Sequence, residues 1–238
     1  MTIPPDSPPN GAVPISKLPN FDPREVAVDG LDSHLPAVPA AHLTPAALRA
    51  RFARPPQWEP EVWAERKFTD RAPAHAAVLV GIVTRQTPTV ILTERTTHLS
   101  THSGQVAFPG GKRDDTDRDE AHTAQREAQE EIGLDPGCTE VLGTMPIYIT
   151  GSRFIITPVV ALVEPSHQLA INPHEVADAF EVPLEFLMNP AHHRRHHHDG
   201  DGIRREWFSM PYMDGTTQRF IWGATAGMLR NLYRFLIA

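Results

Sequence analysis

Two apolar runs set the frame of this chain. AAVLVGIV, from Ala76, and TVILTER, from Thr89, are each of strand length and carry almost no polar alternation, the pattern of strands buried on both faces. TRQTP between them suits a hairpin connection. GQVAFPGG predicts a third short strand ending in a proline–glycine turn, and EVLGTMPIYIT and FIITPVVALV predict two more, joined by a turn at Gly151-Ser152. A short helix is expected around FEVPLEFLM, then a polar insert, a last strand and a closing helix. That helix, FIWGATAGMLRNLYRFLIA, spaces Ile221, Met228, Leu229, Leu232, Phe235 and Leu236 so as to cover one face of a sheet. Trp222 is expected in the core and Cys138 as a passive small residue. No internal repeat is visible. The fold class predicted is α/β (α+β), one mixed sheet sandwiched between helices.

Proline changes the picture at the other end. About half of the chain's 24 prolines fall between Pro4 and Pro60, a density that rules out long helices and central strands. The expected division is a proline-rich, partly disordered extension over 1–70, its first 35 or so residues an extended arm, and a catalytic domain over 71–238. Within the extension a short helix starts at Thr44-Pro45, and aromatic residues after it can pack on the domain.

With 238 residues, 40% of them hydrophobic, there is material for one good-sized core. A formal charge of −7 argues against a general nucleic-acid binder. The single cysteine excludes an internal disulfide and fits a reducing compartment. No stretch has the length of a membrane span, and MTIPPDSPPN has neither a basic nor an apolar segment of a secretory signal. The expectation is a cytoplasmic protein with no membrane partner.

The chemistry lies in AQREAQEEIGL. Its residues form helices well and end at Gly133, yet Glu130 and Glu131 occupy the last turn, where the helix dipole disfavours anions. Glu127 lies three and four positions earlier, so the three carboxylates can share one side. The helix is expected to begin near Thr116, with Thr116-Asp117-Arg118-Asp119 as a capping box. Ala121, Ala124, Ala128 and Ile132 then form a stripe of mostly small residues that lies close to the sheet. A solvated acidic face is the plain reading of such a cluster. A hard divalent cation, which wants several carboxylate oxygens at one point, is the chemical one.

GGKRDDTDRDEAHTAQREAQEEIGL resembles the Nudix box, whose core Arg-Glu-x-x-Glu-Glu-x-Gly is filled here by Arg126, Glu127, Glu130, Glu131 and Gly133. The spacing from Gly111 to Arg126 is one residue longer than in the general box, which leaves the box's first acid at Asp117 or displaced to Arg118. That lengthening is typical of the coenzyme A pyrophosphatase subgroup. ILTERTTHLSTHSGQVAFPGG resembles that subgroup's upstream motif at Ile91, Leu92, Thr93, Arg95, Gly104, Phe108, Pro109, Gly110 and Gly111. It departs at Ser100, where the motif has arginine, and mildly at Thr96. NPHEVADAFEVPLEFLMNP and FIWGATAGMLRNL also resemble the subgroup, so the likeness runs from about Ala74 to the end.

The resemblance implies metal-dependent hydrolysis of a small nucleotide substrate, coenzyme A or a derivative, to 4′-phosphopantetheine and adenosine 3′,5′-bisphosphate. Another nucleoside diphosphate derivative (ADP-ribose, NADH) and a non-catalytic binding module are the alternatives. It implies Mg²⁺ or Mn²⁺ on Glu127, Glu130 and Glu131, and a catalytic set of Glu127, Glu130, Arg126 and Glu175. Arg126 is expected to orient a carboxylate by a bidentate pair. The general base is either Glu127 or Glu175. Gly110 and Gly111 are expected to turn the backbone below the metal, with Arg95, Lys112 and Arg113 as cations for phosphate. His98 and His102 are further candidates for substrate contact. The histidine run from His192 to His198 is expected to be a loop without function. The oligomeric state is left open, a homodimer included.

Overall fold

A computed structural model describes residues 13, 15, 18, 21–62, 64–65, 72–96, 104–200 and 202–238. In chain order these form β1 (Gly30–Leu31), α1 (Pro45–Ala53), β2 (Ala74–Val83), β3 (Thr89–Arg95), β4 (Val106–Ala107), β5 (Gly110–Lys112), α2 (Glu120–Ile132), β6 (Thr139–Thr144) and β7 (Tyr148–Ile149). There follow β8 (Phe154–Val163), β9 (Val176–Pro183), α3 (Leu184–Leu187), β10 (Arg194–Gly200), β11 (Ile203–Asp214), β12 (Thr217–Trp222) and α4 (Gly223–Ile237).

The two longest apolar runs become the centre of an 8-stranded sheet ordered β4-β3-β2-β8-β6, with β5 also on β2, β7 on β8 and β9 on β3. β2 and β8 run parallel from Ala74 opposite Phe154 to Val83 opposite Val163, while β2 and β3 form the expected antiparallel hairpin. Alternate residues of β2 serve opposite cores. Ala77, Leu79 and Val83 pack under Ala124, Ala128 and Ile132 of α2; Val80 and Ile82 pack toward Leu229, Leu232 and Phe235 of α4. Burial on both faces explains the lack of polar alternation. The mixed sheet between helices is thus the architecture that forms. Among the described residues no helix is long and apolar enough to cross a membrane.

Three local expectations are corrected. The helix with the carboxylates starts at Glu120 with Asp119 as its cap, accepting from the His122 N–H at 2.8 Å. Thr116 is instead spent on an Asp114 turn, and Asp117 is buried. The histidine run is a strand, not a loop: β10 pairs with β1 on one side and β11 on the other. The buried imidazole of His196 is satisfied by hydrogen bonds to Ser209 Oγ (2.8 Å) and Ala27 O (3.0 Å). Buried His193 lies 2.8 Å from Leu187 O, and burial lowers its pKa to about 4, so it is neutral. Finally, Phe220–Trp222 belong to β12, and the closing helix begins only at Gly223.

The part of the proline-rich segment expected to carry a short helix from Thr44-Pro45 and aromatics that pack on the domain does both. Val38, Leu43 and Leu48 are buried in the larger core. β1 joins β10, β11 and β12 in a 4-stranded sheet. Arg49 on α1 forks onto Glu140 of β6 at 2.7–3.0 Å, and Phe52 and Trp58 pack on Phe235. This segment thus helps to close the core.

Candidate active site

The site is built where the C-terminal half of α2 meets β5. Gly133 ends α2 in the left-handed region at φ 66°, and its flank is closed by Ala170, which a Cβ there would strike. The last helix carbonyls are then taken by the segment between β8 and β9: Ala170 N–H donates to Ile132 O and Asn172 N–H to Glu131 O, both at 2.8 Å. This clamp carries Glu175 back over the helix end, and Thr96 N–H donates to Glu175 O at 3.1 Å, joining it to the end of β3.

Gly110 and Gly111 do not form a turn as expected. They pair in β5 with Val78 and Ala77, and glycine is required for room. A Cβ on Gly111 would run into the Glu127 carboxylate, and one on Gly110 into the backbone of Ala77 and Val78. Gly110 N–H donates to Glu131 Oε2 at 3.1 Å, and Arg95 Nη1 stands 3.8 Å from Oε1. Glu131 is almost fully buried. Burial pushes its pKa up to about 7, with Gly110 and Arg95 pulling the other way and the charges of Glu127 and Glu175 adding to the rise. Burial likewise raises Glu127, against Arg126 and with Glu130 and Glu175. Three carboxylates thus share one field with too little positive charge to settle it.

Arg126 is used completely. Its Nε and Nη2 donate to Asp117 Oδ1 (3.0 Å) and Oδ2 (2.9 Å), its Nη2 also to Lys112 O (3.1 Å). Its Nη1 is shared between Glu127 (3.0 Å) and Glu130 (3.2 Å). Asp117 also accepts from Asp114 N–H and Thr123 Oγ1. The Arg126 guanidinium holds this carboxyl well below the usual range. Between the two positions open to the box's first acid, Asp117 makes the pair. No spacing could choose, because the extra residue sits in the loop before the helix.

Several expected members stand apart. Glu130 is mostly exposed and lies on Arg126, away from Glu131. Lys112 Nζ sits 5.8 Å above the Phe154 ring, and Arg113 points to Glu120 at 3.5 Å; neither cation is among those paired with the three carboxylates. Ser100, His98 and His102 lie outside the described residues. As the side chains stand, no three His, Cys, Asp or Glu among the described residues are gathered to hold a metal ion. The donor set still fits a hard divalent cation: all-oxygen ligands, a glycine-wide cradle at Gly111, and buried carboxylates whose mutual repulsion an ion would relieve.

Asp117→Asn tests the scaffold without touching Glu127 or Glu131. It is expected to lower stability at pH 7 by about 1–3 kcal/mol, the scale of a buried partner left short of a charged hydrogen bond. Because the native pKa is depressed, the wild-type advantage is present above the unfolded value near pH 4 and is lost as pH falls through the native one. Melting curves of the two proteins at pH 7 and pH 3 check this: the gap should narrow only in part at pH 3, which lies below the unfolded value but still above the depressed native one.

The NUDIX domain profile matches residues 73–205. Over 157 residues, 66% of this chain and 80% of the relative, the chain is 40% identical to the Nudix hydrolase NudL of Escherichia coli O7:K1, described as uncharacterized. It is 41% identical to NudL of Pectobacterium atrosepticum over the same shares. Among solved structures, a C. elegans Ap4A hydrolase binary complex is 20% identical and aligns with 50% of this chain and 85% of its own, at a TM-score of 0.41. A MutT/nudix family protein from Enterococcus faecalis is 13% identical over 80% of this chain and 74% of its own, at 0.42.

Proposed function

Because the chain belongs to the Nudix hydrolases of nucleoside diphosphate derivatives, we propose that its own substrate is coenzyme A or a derivative, cut at the diphosphate to 4′-phosphopantetheine and adenosine 3′,5′-bisphosphate. The observation that carries this is the position of the upstream motif. Arg95, Gly110 and Gly111, which the chain shares with the coenzyme A subgroup, surround the same buried Glu131 and half-buried Glu127.

Mg²⁺ or Mn²⁺ would neutralise the diphosphate and activate the attacking water. Glu127 and Glu131 would hold it, joined by Glu130 once that side chain leaves Arg126. Arg126 keeps Glu127 in place while braced on Asp117. Glu175, close enough to raise the pKa of both other carboxylates, is the better placed general base, since Glu127 is needed as a ligand. Gly110 supplies the N–H that orients Glu131, and Gly111 supplies the space. Arg95 meets a phosphoryl oxygen; Lys112 and Arg113 serve at most the outer parts of the substrate.

Ser100 favours a second reading, a Nudix enzyme for ADP-ribose or a dinucleotide, because it removes the motif's second arginine. Turnover of coenzyme A, ADP-ribose and NADH side by side with Mg²⁺ decides between them. Coenzyme A should have a kcat/KM at least about tenfold above the others, a difference of roughly 1.4 kcal/mol in transition-state binding. No turnover of coenzyme A together with turnover of either rival overturns the proposal.

A further inference from the structure

Arg95 is held by its backbone, while its tip makes one long contact. Its N–H donates to Gln105 O and its carbonyl accepts from Gly104 N–H, both at 3.1 Å. The register between β3 and β9 shifts at Glu94/Arg95, and this bulge sends the side chain over Glu131. The contact there is an ion pair without a hydrogen bond: 3.8 Å is too long for one. Its Nε is buried and has no hydrogen-bond partner among the described residues. An arginine carries its donors in a planar fork that suits phosphoryl oxygens, and a buried donor left idle is costly. Arg126, close by on α2, spends its fork on Asp117, Glu127, Glu130 and Lys112 O. Glu131 does not depend on Arg95 for its position, because Gly110 N–H fixes the other carboxylate oxygen.

We propose that Arg95 is a positioning residue with two stations. It neutralises Glu131 while no metal is bound, and it turns its fork to the diphosphate of the substrate when a divalent ion takes that carboxylate. This rests on the metal-dependent reading above but not on the choice of coenzyme A. The exchange would keep the local charge balanced in both states and couples the two ligands through Arg95: released from Glu131, its fork would be open to the anion.

Two consequences have opposite signs. In the absence of substrate Arg95 competes with the ion, so Arg95→Gln should bind Mn²⁺ more tightly, by on the order of tenfold, the effect of removing one unit charge several ångström from a divalent ion under water-like screening. With Mn²⁺ saturating, the same variant should bind methylenediphosphonate, a non-hydrolysable diphosphate, more weakly by on the order of tenfold, the loss of a charge-assisted hydrogen bond. A residue that merely braces the site would weaken both when removed. Arg95→Lys keeps the charge without the fork. It should leave the Mn²⁺ affinity within about twofold while losing most of the diphosphonate affinity, and it carries the test if the glutamine variant fails to fold.

The measurements are Mn²⁺ titration of the full chain by electron paramagnetic resonance, then calorimetric titration of methylenediphosphonate into the Mn²⁺ form. Weaker or unchanged Mn²⁺ binding in Arg95→Gln overturns the proposal, as does unchanged diphosphonate binding. Failure of the wild type to bind Mn²⁺ overturns it together with the metal-dependent reading. Tight Mn²⁺ and diphosphonate binding without turnover of coenzyme A overturns only the substrate assignment.

Discussion

Glu131→Gln is expected to reduce turnover by roughly 10³-fold, about 4 kcal/mol of transition-state stabilisation, and at the same time to make the metal-free protein more stable. The two effects come from one fact, a carboxylate buried beside two others. Folding carries Glu131 from an ordinary value near 4.3 to about 7. For an acid raised in the native state the sign is destabilising. The penalty is absent below about pH 4, grows as pH rises toward 7, and is fully present above it. Glutamine keeps an oxygen for the Gly110 N–H and removes the charge. The cost is a loose ion pair with part-exposed Arg95, worth little. In chelator at pH 8 the variant should therefore melt a few degrees above wild type, at roughly 2–4 °C per kcal/mol, and at pH 4 the two should coincide. Added Mn²⁺ should raise the wild-type melting temperature and leave the variant nearly still, since binding to the native state alone is what stabilises. A variant that melts lower at pH 8, or retains turnover within tenfold, would mean that Glu131 is an ordinary structural acid.

Part of that site is legible in the sequence. Helical spacing alone puts Glu127 and Glu131 on one side of α2, and the odd placement of anions at a helix C-terminus marks them. Spacing cannot give the rotamer of Glu130, which the Arg126 guanidinium four residues earlier draws away. Nor can it find Arg95 over Glu131, because that contact depends on a bulge between strands distant in sequence. The sheet is legible where both faces are buried, in β2, β3 and β8, since an unbroken apolar run has one simple solution. It is illegible in β10. RRHHHDG hides a strand because an imidazole whose two ring nitrogens both find hydrogen bonds, as in His196, can be buried like a hydrophobe. The N-terminal segment conceals its place in the fold for a related reason. Its anchors are charges, Asp32 and Glu61, and their partners Arg195 and Arg230 lie at the far end of the chain.

Those charges make the second large effect. Arg230 of α4 is 1% exposed. Its Nε donates to Glu61 at 2.7 Å, its Nη2 reaches Asp32 at 2.9 Å, and its Nη1 lies 3.1 Å from His193 Nδ1. Arg195 closes the network on Asp32 and Glu61, each at 2.9 Å. Both acids are held below their usual range by the two arginines, against burial that would raise them. A network of this kind adds little net stability over an apolar replacement, but removing one member strands the others in low dielectric. Arg230→Leu should cost about 3–5 kcal/mol and lower the melting temperature by on the order of 10 °C. A chain beginning at Ala74 removes Asp32 and Glu61 together, leaves two arginines without acids, and uncovers the core that Val38, Leu43 and Leu48 close. It should not give a cooperatively folding protein. Turnover separates this from catalysis. α4 packs on the face of the sheet opposite α2, so Arg230→Leu molecules that remain folded should keep kcat/KM within about threefold, a difference of under 1 kcal/mol. If the chain starting at Ala74 instead folds cooperatively and turns over substrate like the full protein, the N-terminal segment is an accessory and the ion-pair network carries no part of the fold.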